Sequence, residues 1–528
     1  MNKKGRGTYR HGARSTAKSQ QGWSGKGSVG TGQTYLILAA ILFLAFFLRS
    51  YFAYGISIDN GFALSGGADA VYYERLIEYI LVTGQQLLIE PLHNYPYEAQ
   101  NLREPMYAWA VVMGGLFLSL FGIPIDTAVG MSFMFSTPVF GTLMIIPVYL
   151  MAKDAFGTRV GIIAAALVAV SSGALSLTVL SDGDHDAMAM FFILWGFYFL
   201  MRAFERIRGT HWVSSWRSGG DITAGLRSYM VENRVSLLCA LMAGMCLAIA
   251  AMTWKGFVYT LVIVTIFLLV QLLMDRFSNR DSLAVTMVFA VMGLSTVILS
   301  MPYYFGMNQV SGWWDLPLYI VLGGIGVGVY FTITRDKPWT LTLPGFMLIS
   351  FVGVLFLYLF MPGQFELLIS GAGYFGGRSK LYGTIAEAQA PTFSALAMSY
   401  GVITLWLAII GVFYAAVKAI KIRKPFFVFI VVWMAVAMIM ASSAQRFIFN
   451  SSMVFAIAAA VTLNIILSKV DLHEYWYSIK SAEWRSKFRR VLKKRIVPGR
   501  SSAVFSFAVR GGRKIPAVYG RASSGVSY

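Results

Sequence analysis

Long apolar runs separated by short polar interruptions make up most of this chain. Twelve of them approach the roughly 20 residues that a helix needs to cross a bilayer. They fall at 35–52, 128–150, 160–180, 187–204, 235–252, 257–274, 283–301, 317–334, 341–360, 394–417, 426–440 and 447–467. One further run, Met106 to Phe121, has only 16 residues. As a helix it would reach about 24 Å, short of the ~30 Å hydrocarbon core, so it is expected to lie at the interface or to re-enter. The pattern predicts an all-α polytopic membrane protein with about 12 transmembrane helices.

Charge assigns the sides. With the N-terminus cytoplasmic, all but seven of the 44 Lys and Arg fall on inner segments, the exceptions being Arg49, Arg75, Arg103, Lys255, Arg378, Lys380 and Arg446. That is the positive-inside distribution. Counting the short run as a span would put the arginines between Arg202 and Arg234 outside, which rejects that alternative. The external loops are then 53–127, 181–186 and 361–393, joined by the TWKG turn at Thr253 to Gly256 and the SSAQRF turn ending at Arg446.

Composition agrees: 57% hydrophobic and 13% charged residues with a mean hydropathy of +0.64. The net charge of +20 could suggest nucleic acid, but the basic residues flank spans and form tails, so no nucleic acid partner is expected and membrane lipid is. Residues 1–34 read as a disordered basic cytoplasmic tail, because they hold too little apolar surface to fold. Cys239 and Cys246 lie within one span, where packing is the expected role. The glycines of GGIGVGV, Gly323 to Val329, lack the strand-to-helix setting of a nucleotide loop and predict close helix packing.

The densest polar chemistry is SDGDHDAMAMFF, Ser181 to Phe192, where Asp182, Asp184, His185 and Asp186 crowd the mouth of an apolar helix. One Asp would suffice to cap that helix; three make a cation site the better reading. If the segment is extended, Asp184 and Asp186 project to the same side. Two more acids stand in external loops. Asp69 lies in GADAVYYERL, and Glu387 lies in GGRSKLYGTIAEAQAPTF.

This order, an acid in the first loop, D-x-D in the second and TIAE in the fifth, resembles the archaeal oligosaccharyltransferase catalytic subunit over about residues 35–490. The resemblance implies a GT-C type fold for 35–467. It also implies transfer of an oligosaccharide from a dolichyl phosphate or diphosphate carrier to the Asn amide of Asn-x-Ser/Thr acceptor polypeptides. Asp69, Asp184 and Asp186 match the family's metal ligands, and Glu387 matches the glutamate that completes the site and helps hold the acceptor. Asp69 and Glu387 carry the catalytic role. Oxygen ligands suit Mn2+ or Mg2+. Arg446 sits where the family places an arginine for the lipid phosphate, with His93, His185, Trp254 and Lys255 as further candidates for that pocket. Tyr72 and Tyr73 read as packing or belt aromatics.

The family also carries a thirteenth helix and a soluble outer domain with a WWDYG sequence. Trp313, Trp314 and Asp315 match three of those letters but lie between spans, where interfacial anchoring is expected. After Leu467 the sequence is basic, and 496–528 is rich in Gly, Ser and Arg without periodicity, which reads as a tail or a truncation before the thirteenth helix. A separately encoded WWDYG domain is then an expected partner. Two alternatives remain: another polyprenyl-sugar-dependent GT-C glycosyltransferase such as a protein O-mannosyltransferase, against which TIAE counts, and a binding or transport protein with an external cation site.

Overall fold

The computed structural model describes residues 31–59, 66–92, 95–209, 212–278, 280–363, 365–366 and 386–469. The expectations for residues 1–30, for His93, for most of the 361–393 loop and for the chain after 469 lie outside the described residues. The chain divides after Ile466 into two compact units. The first holds the outer segment, the acidic turn and every membrane helix but the final residues of the last.

In lipid every backbone polar group must be satisfied within the chain, so apolar runs become helices. Eleven described helices are long and apolar enough to cross a membrane, and the protein is a multi-pass membrane protein. The first, α1 (Thr31–Asp59), leads to an outer segment holding α2 (Gly67–Thr83) and a minimal antiparallel ladder. In that ladder β1 (Ile89–Glu90) pairs with β2 (Ala99–Gln100), Ile89 opposite Gln100. The short run is a 14-residue helix, α3 (Met106–Ser119), about 21 Å long, as its length predicted. Tyr73, Leu76, Ile77 and Ile80 of α2 bury against Tyr107, Ala108, Val111 and Val112 of α3, with Phe133 and Met188 beneath them. The outer segment is thereby seated on the bundle. A bidentate Arg75–Glu90 pair (3.0 and 2.8 Å) fastens its ladder.

The next predicted span runs longer than expected, α4 (Ile125–Leu143) continuing almost directly into α5 (Ile145–Phe156). Its successor differs. The predicted helix 160–180 is a 13-residue helix, α6 (Thr158–Val170); Ser171 is extended, and a single turn, α7 (Ser172–Leu175), follows. The sequence SSG explains the break, because serine hydroxyls compete for backbone partners and glycine favours release from the helix. Irregular backbone at this depth is tolerated where protein buries it. Gly173, Ala174, Thr178 and Leu180 are indeed buried.

The chain then forms α8 (Asp186–Glu205), the inter-span helix α9 (Gly219–Glu232), α10 (Arg234–Ala251), α11 (Val258–Phe277), α12 (Leu283–Gly306), α13 (Asp315–Ile333) and α14 (Trp339–Phe360). Helices α8, α10 and α12 pack face to face through small residues. A β-carbon placed on Gly244 of α10 would lie 2.5 Å from the Met292 carbonyl of α12. The predicted span 394–417 is also split: α15 (Phe393–Tyr400) ends at Gly401, whose φ of 82° is open to glycine, and α16 (Val402–Ile422) follows. The last two are α17 (Pro425–Ser443) and α18 (Phe447–Lys469). Trp313 is half-exposed, and Trp314 donates from Nε1 to the Val297 carbonyl (3.0 Å).

The GGIGVGV packing reading holds for half of its glycines. A β-carbon on Gly324 would meet Phe289 at 2.5 Å and one on Gly328 would meet Thr286 at 2.5 Å, while Gly323 and Gly326 face open space. Positions four apart share a helix face, so only the 324/328 face is tight. Gly324→Leu and Gly328→Leu are each expected to destabilise by about 1–3 kcal/mol through overpacking, whereas Gly323→Leu and Gly326→Leu are neutral. Thermal unfolding of the detergent-solubilised chain checks this; equal effects at all four positions would contradict the packing.

Candidate active site

The acidic stretch forms at the outer end of the break. Leu180 donates its N–H to the Arg49 carbonyl (2.8 Å), and Ser181 donates to the Met134 carbonyl (3.1 Å). The turn is tight: Ser181 and Gly183 both have positive φ (64° and 66°), His185 has helical dihedrals, and Asp186 is the first residue of α8. The extended arrangement considered for Asp184 and Asp186 is therefore not what the chain adopts. A turn followed by a helix start places the two carboxylates around the imidazole. His185 donates its backbone N–H to Asp184 Oδ1 (2.7 Å), its Nδ1 lies 2.5 Å from the same oxygen, and its Nε2 lies 4.0 Å from Asp186 Oδ1.

The electrostatics follow from this crowding. Burial opposes charge on the imidazole, but Asp184 overrides it and raises His185 to about 9. Burial also opposes charge on Asp184, yet His185 and Arg103 hold it below the ordinary carboxylate value. Asp182, buried and facing the charges of Asp184 and Asp186, is pushed up to about 7.

The first-loop acid stands in the first turn of α2, where the helix dipole favours a carboxylate. The α2 entry abuts the acidic turn so closely that a β-carbon on Gly66 would overlap the Asp182 carbonyl oxygen. Asp69 pairs with Arg103, whose guanidinium lies over the rings of Tyr72 and Tyr73 at 5.8 and 5.5 Å and within electrostatic reach of Asp184. Tyr73 is fully buried, edge-on to Tyr107 (4.8 Å) and tilted over His185 (5.7 Å), so its packing role holds but at the centre of the site.

Glu387 sits in the turn Ala386–Ala388. The backbone N–H groups of Arg446 and Gln445 donate to the carbonyls of Glu387 and Gln389, each at 3.0 Å, and Arg446 Nη2 lies 3.7 Å from Glu387 Oε2. Asp186 is within electrostatic reach of both Arg446 and Glu387. Thus Asp69, Asp184 with Asp186, Glu387 and Arg446, from four separate stretches of the sequence, are linked to one another through these pairings.

The remaining candidates divide. The Trp254 ring lies 6.5 Å from that of His185. The Lys255 ammonium is turned away from the acids: it donates to the Leu102 carbonyl (2.5 Å) and lies 4.8 Å over the Trp313 ring. Two residues that the sequence pattern did not single out complete the site. Arg103 is one. The other is Glu104, buried, whose Oε1 accepts from the Lys255 N–H (2.9 Å) and so ties the first outer loop to the TWKG turn. The available signal was their position: charged neighbours directly before Pro105 at the entry to an apolar helix.

The donor set fits a hard divalent cation, since Asp69, Asp184, Asp186 and Glu387 offer only carboxylate oxygens and the adjacent Asp182 has a buried Oδ2 without a hydrogen-bond partner. Among the described residues no three such side chains already converge as a metal cage. Arg103, His185 and Arg446 each hold one of the acids instead.

Among known protein families, the one described as "Oligosaccharyl transferase STT3, N-terminal" matches residues 34–482. Dolichyl-phosphooligosaccharide-protein glycotransferase 3 of Archaeoglobus fulgidus is 23% identical over 436 residues, which is 77% of this chain and 47% of the relative. The Haloferax volcanii glycotransferase AglB is 23% identical over 367 residues, 65% of this chain and 32% of the relative. The apo crystal structure of the A. fulgidus oligosaccharyltransferase superposes with a TM-score of 0.70 at 18% identity, covering 88% of this chain and 54% of that one. AglB of A. fulgidus solved with an inhibitory peptide and a dolichol-phosphate gives 0.70 at 18%, covering 87% and 54%. The chain spans from about a third (32%) to about half (54%) of the length of these relatives.

Glu104 generates a test. Glu104→Ala leaves the partly buried Lys255 N–H without its acceptor and is expected to cost about 1–2 kcal/mol, while Glu104→Gln, which retains an acceptor, costs less. Chemical denaturation followed by Trp fluorescence measures both, and an Ala variant as stable as the parent would show that the tie is idle.

Proposed function

The chain belongs to the oligosaccharyl transferase STT3 family, and from that premise we propose that its outer cluster transfers an oligosaccharide from a dolichyl phosphate or diphosphate carrier to the amide nitrogen of Asn in Asn-x-Ser/Thr polypeptides. The observation that carries the reading is the stitching of Glu387 to Arg446 beside Asp186. It joins acids for an amide and a cation for a phosphate in one place. The relative solved with a peptide and a dolichol-phosphate supports the same pairing of ligands. The charge distribution along the sequence supports a cytoplasmic N-terminus with the cluster facing outside.

An amide nitrogen is a poor nucleophile because its lone pair is delocalised into the carbonyl. Asp69 is half-exposed, and Glu387 more so; both carboxylates accept the amide N–H groups, which weakens that delocalisation and holds the nitrogen against the sugar carbon. The new C–N bond forms as the sugar C–O bond to phosphate breaks, from opposite faces, so the anomeric carbon inverts, and the nitrogen gives up one proton to the Asp69 or Glu387 carboxylate that accepts its N–H. Arg446 stabilises the negative charge that grows on the departing phosphate, and His185 and Trp254 border the same space. Asp69, Asp184, Asp186 and Glu387 would hold a divalent cation, Mn2+ or Mg2+, which would supply further positive charge for that phosphate.

Two outcomes are expected. Asp184→Ala and Asp186→Ala abolish Mn2+ binding and glycan transfer while the helical content is retained; near-normal transfer by either variant at saturating Mn2+ excludes the metal assignment. Arg446, whose side chain is 39% exposed, contributes one charge-assisted phosphate contact, so Arg446→Ala is expected to cost about 1–2 kcal/mol, or roughly 5- to 30-fold weaker use of the lipid donor. Steady-state kinetics with dolichyl-linked donor and Asn-x-Thr peptide separate the substrates, and a change confined to the peptide KM contradicts the role given to Arg446.

A further inference from the structure

Arg49 is the most deeply buried arginine described, 1% exposed within α1, and among the described residues no carboxylate pairs with it. A cation buried in a span without an acid is costly unless its donors are used. Two of its three nitrogens are used: Nε donates to Thr178 Oγ1 (2.9 Å), and Nη1 donates to the carbonyls of Ala45 (3.1 Å) and Ala169 (3.3 Å), while the buried Nη2 has no hydrogen-bond partner. Ala169 lies in the last turn of α6, whose final carbonyls lose their helical partners where the chain breaks, and a positive charge is favourable at that end of the helix dipole. Thr178 passes the contact on, donating to the Ala174 carbonyl (2.8 Å).

The backbone of Arg49 adds to its side chain, since its carbonyl accepts from Leu180. Further out on α1, Ser57 accepts from the Ser181 hydroxyl (2.7 Å). From the other side Thr137 Oγ1 of α4 donates to the Val179 carbonyl (2.7 Å). Gly141 leaves the room: a β-carbon there would lie 3.0 Å from Arg49 Nε. Every residue from Thr178 to Ser181 is thereby fastened to α1 or α4, and Asp182 comes next.

We propose that Arg49 is a positioning residue for the acidic turn: by capping the broken end of α6 and holding Thr178, the first residue of the stretch that Thr137, Met134 and Ser57 fasten further on, its side chain sets where Asp182, Asp184 and Asp186 stand relative to Asp69. The inference rests on the proposed cation site for its functional readout, and on the broken helix alone for its structural one.

The test uses the full chain in lipid nanodiscs, with Arg49→Met, Arg49→Lys and Thr178→Val, and Gly328→Leu as a control that destabilises a distant helix contact. Mn2+ binding is read by electron paramagnetic resonance and local opening by hydrogen exchange of peptides covering 176–186. Arg49→Met is expected to weaken Mn2+ binding at least tenfold and to speed exchange in 176–186 at least tenfold, with Thr178→Val and Arg49→Lys showing smaller effects in the same direction. The Gly328→Leu control leaves both unchanged. Unchanged exchange in Arg49→Met overturns the proposal, as does a Mn2+ loss matched by Gly328→Leu. If the parent chain binds no Mn2+, the cation reading fails, and exchange alone decides whether Arg49 holds the turn.

Discussion

A helix broken inside a membrane protein leaves backbone groups that lipid cannot satisfy, and the break at Ser171 is the constraint on which the outer half of this structure depends. A continuous helix through 160–180 would carry SDGDHD straight up its own axis. The break instead lets the chain turn across α1 and α4 before α8 begins, which brings the acids to the α2 entry at Gly66. The cost is a stretch of irregular backbone, met by Arg49, Thr137, Ser57 and the Met134 carbonyl. Polar side chains in spans that looked incidental thus have a common task.

A second regularity is the pairing of acids with protein cations. Asp69 meets Arg103 of the same outer segment, Asp184 meets its neighbour His185, and Glu387 meets Arg446 of the next turn. Carboxylates this close repel unless positive charge intervenes. In the described structure protein cations supply it, so the proposed metal would have to compete with Arg103 and His185 for the same oxygens.

Hydropathy made most of this architecture legible, because a lipid-exposed helix has to be apolar and about 20 residues long. It located α8, α10 through α14, α17 and α18 to within a few residues, and the length of Met106 to Phe121 marked α3 as too short to span. The same reasoning failed at 160–180 and 394–417. A window that averages hydropathy does not register a local backbone break, although SSG and the Gly401 position were visible. The acids were found by density and by their order along the chain. Their geometry was not, since whether SDGDHD is extended or turned depends on partners in α1 and α4. Arg103 and Glu104 carry no motif of their own; their importance comes from the loop returning to Asp69 and to the TWKG turn.

The placement of Arg446 carries the synthesis one step further. It directly precedes Phe447, the first residue of α18, and the positive end of a helix dipole is an unfavourable place for an arginine. An anion reverses the balance, because the positive end of the helix dipole and the guanidinium then act on the same negative charge. Glu387 provides that anion in the described structure, at 3.7 Å and with most of its side chain exposed. A phosphate in its place would meet both sources of positive potential at once, while Glu387 would be released towards the acceptor amide. An arginine that is unfavourable for the isolated helix is therefore accounted for by the ligand proposed for it.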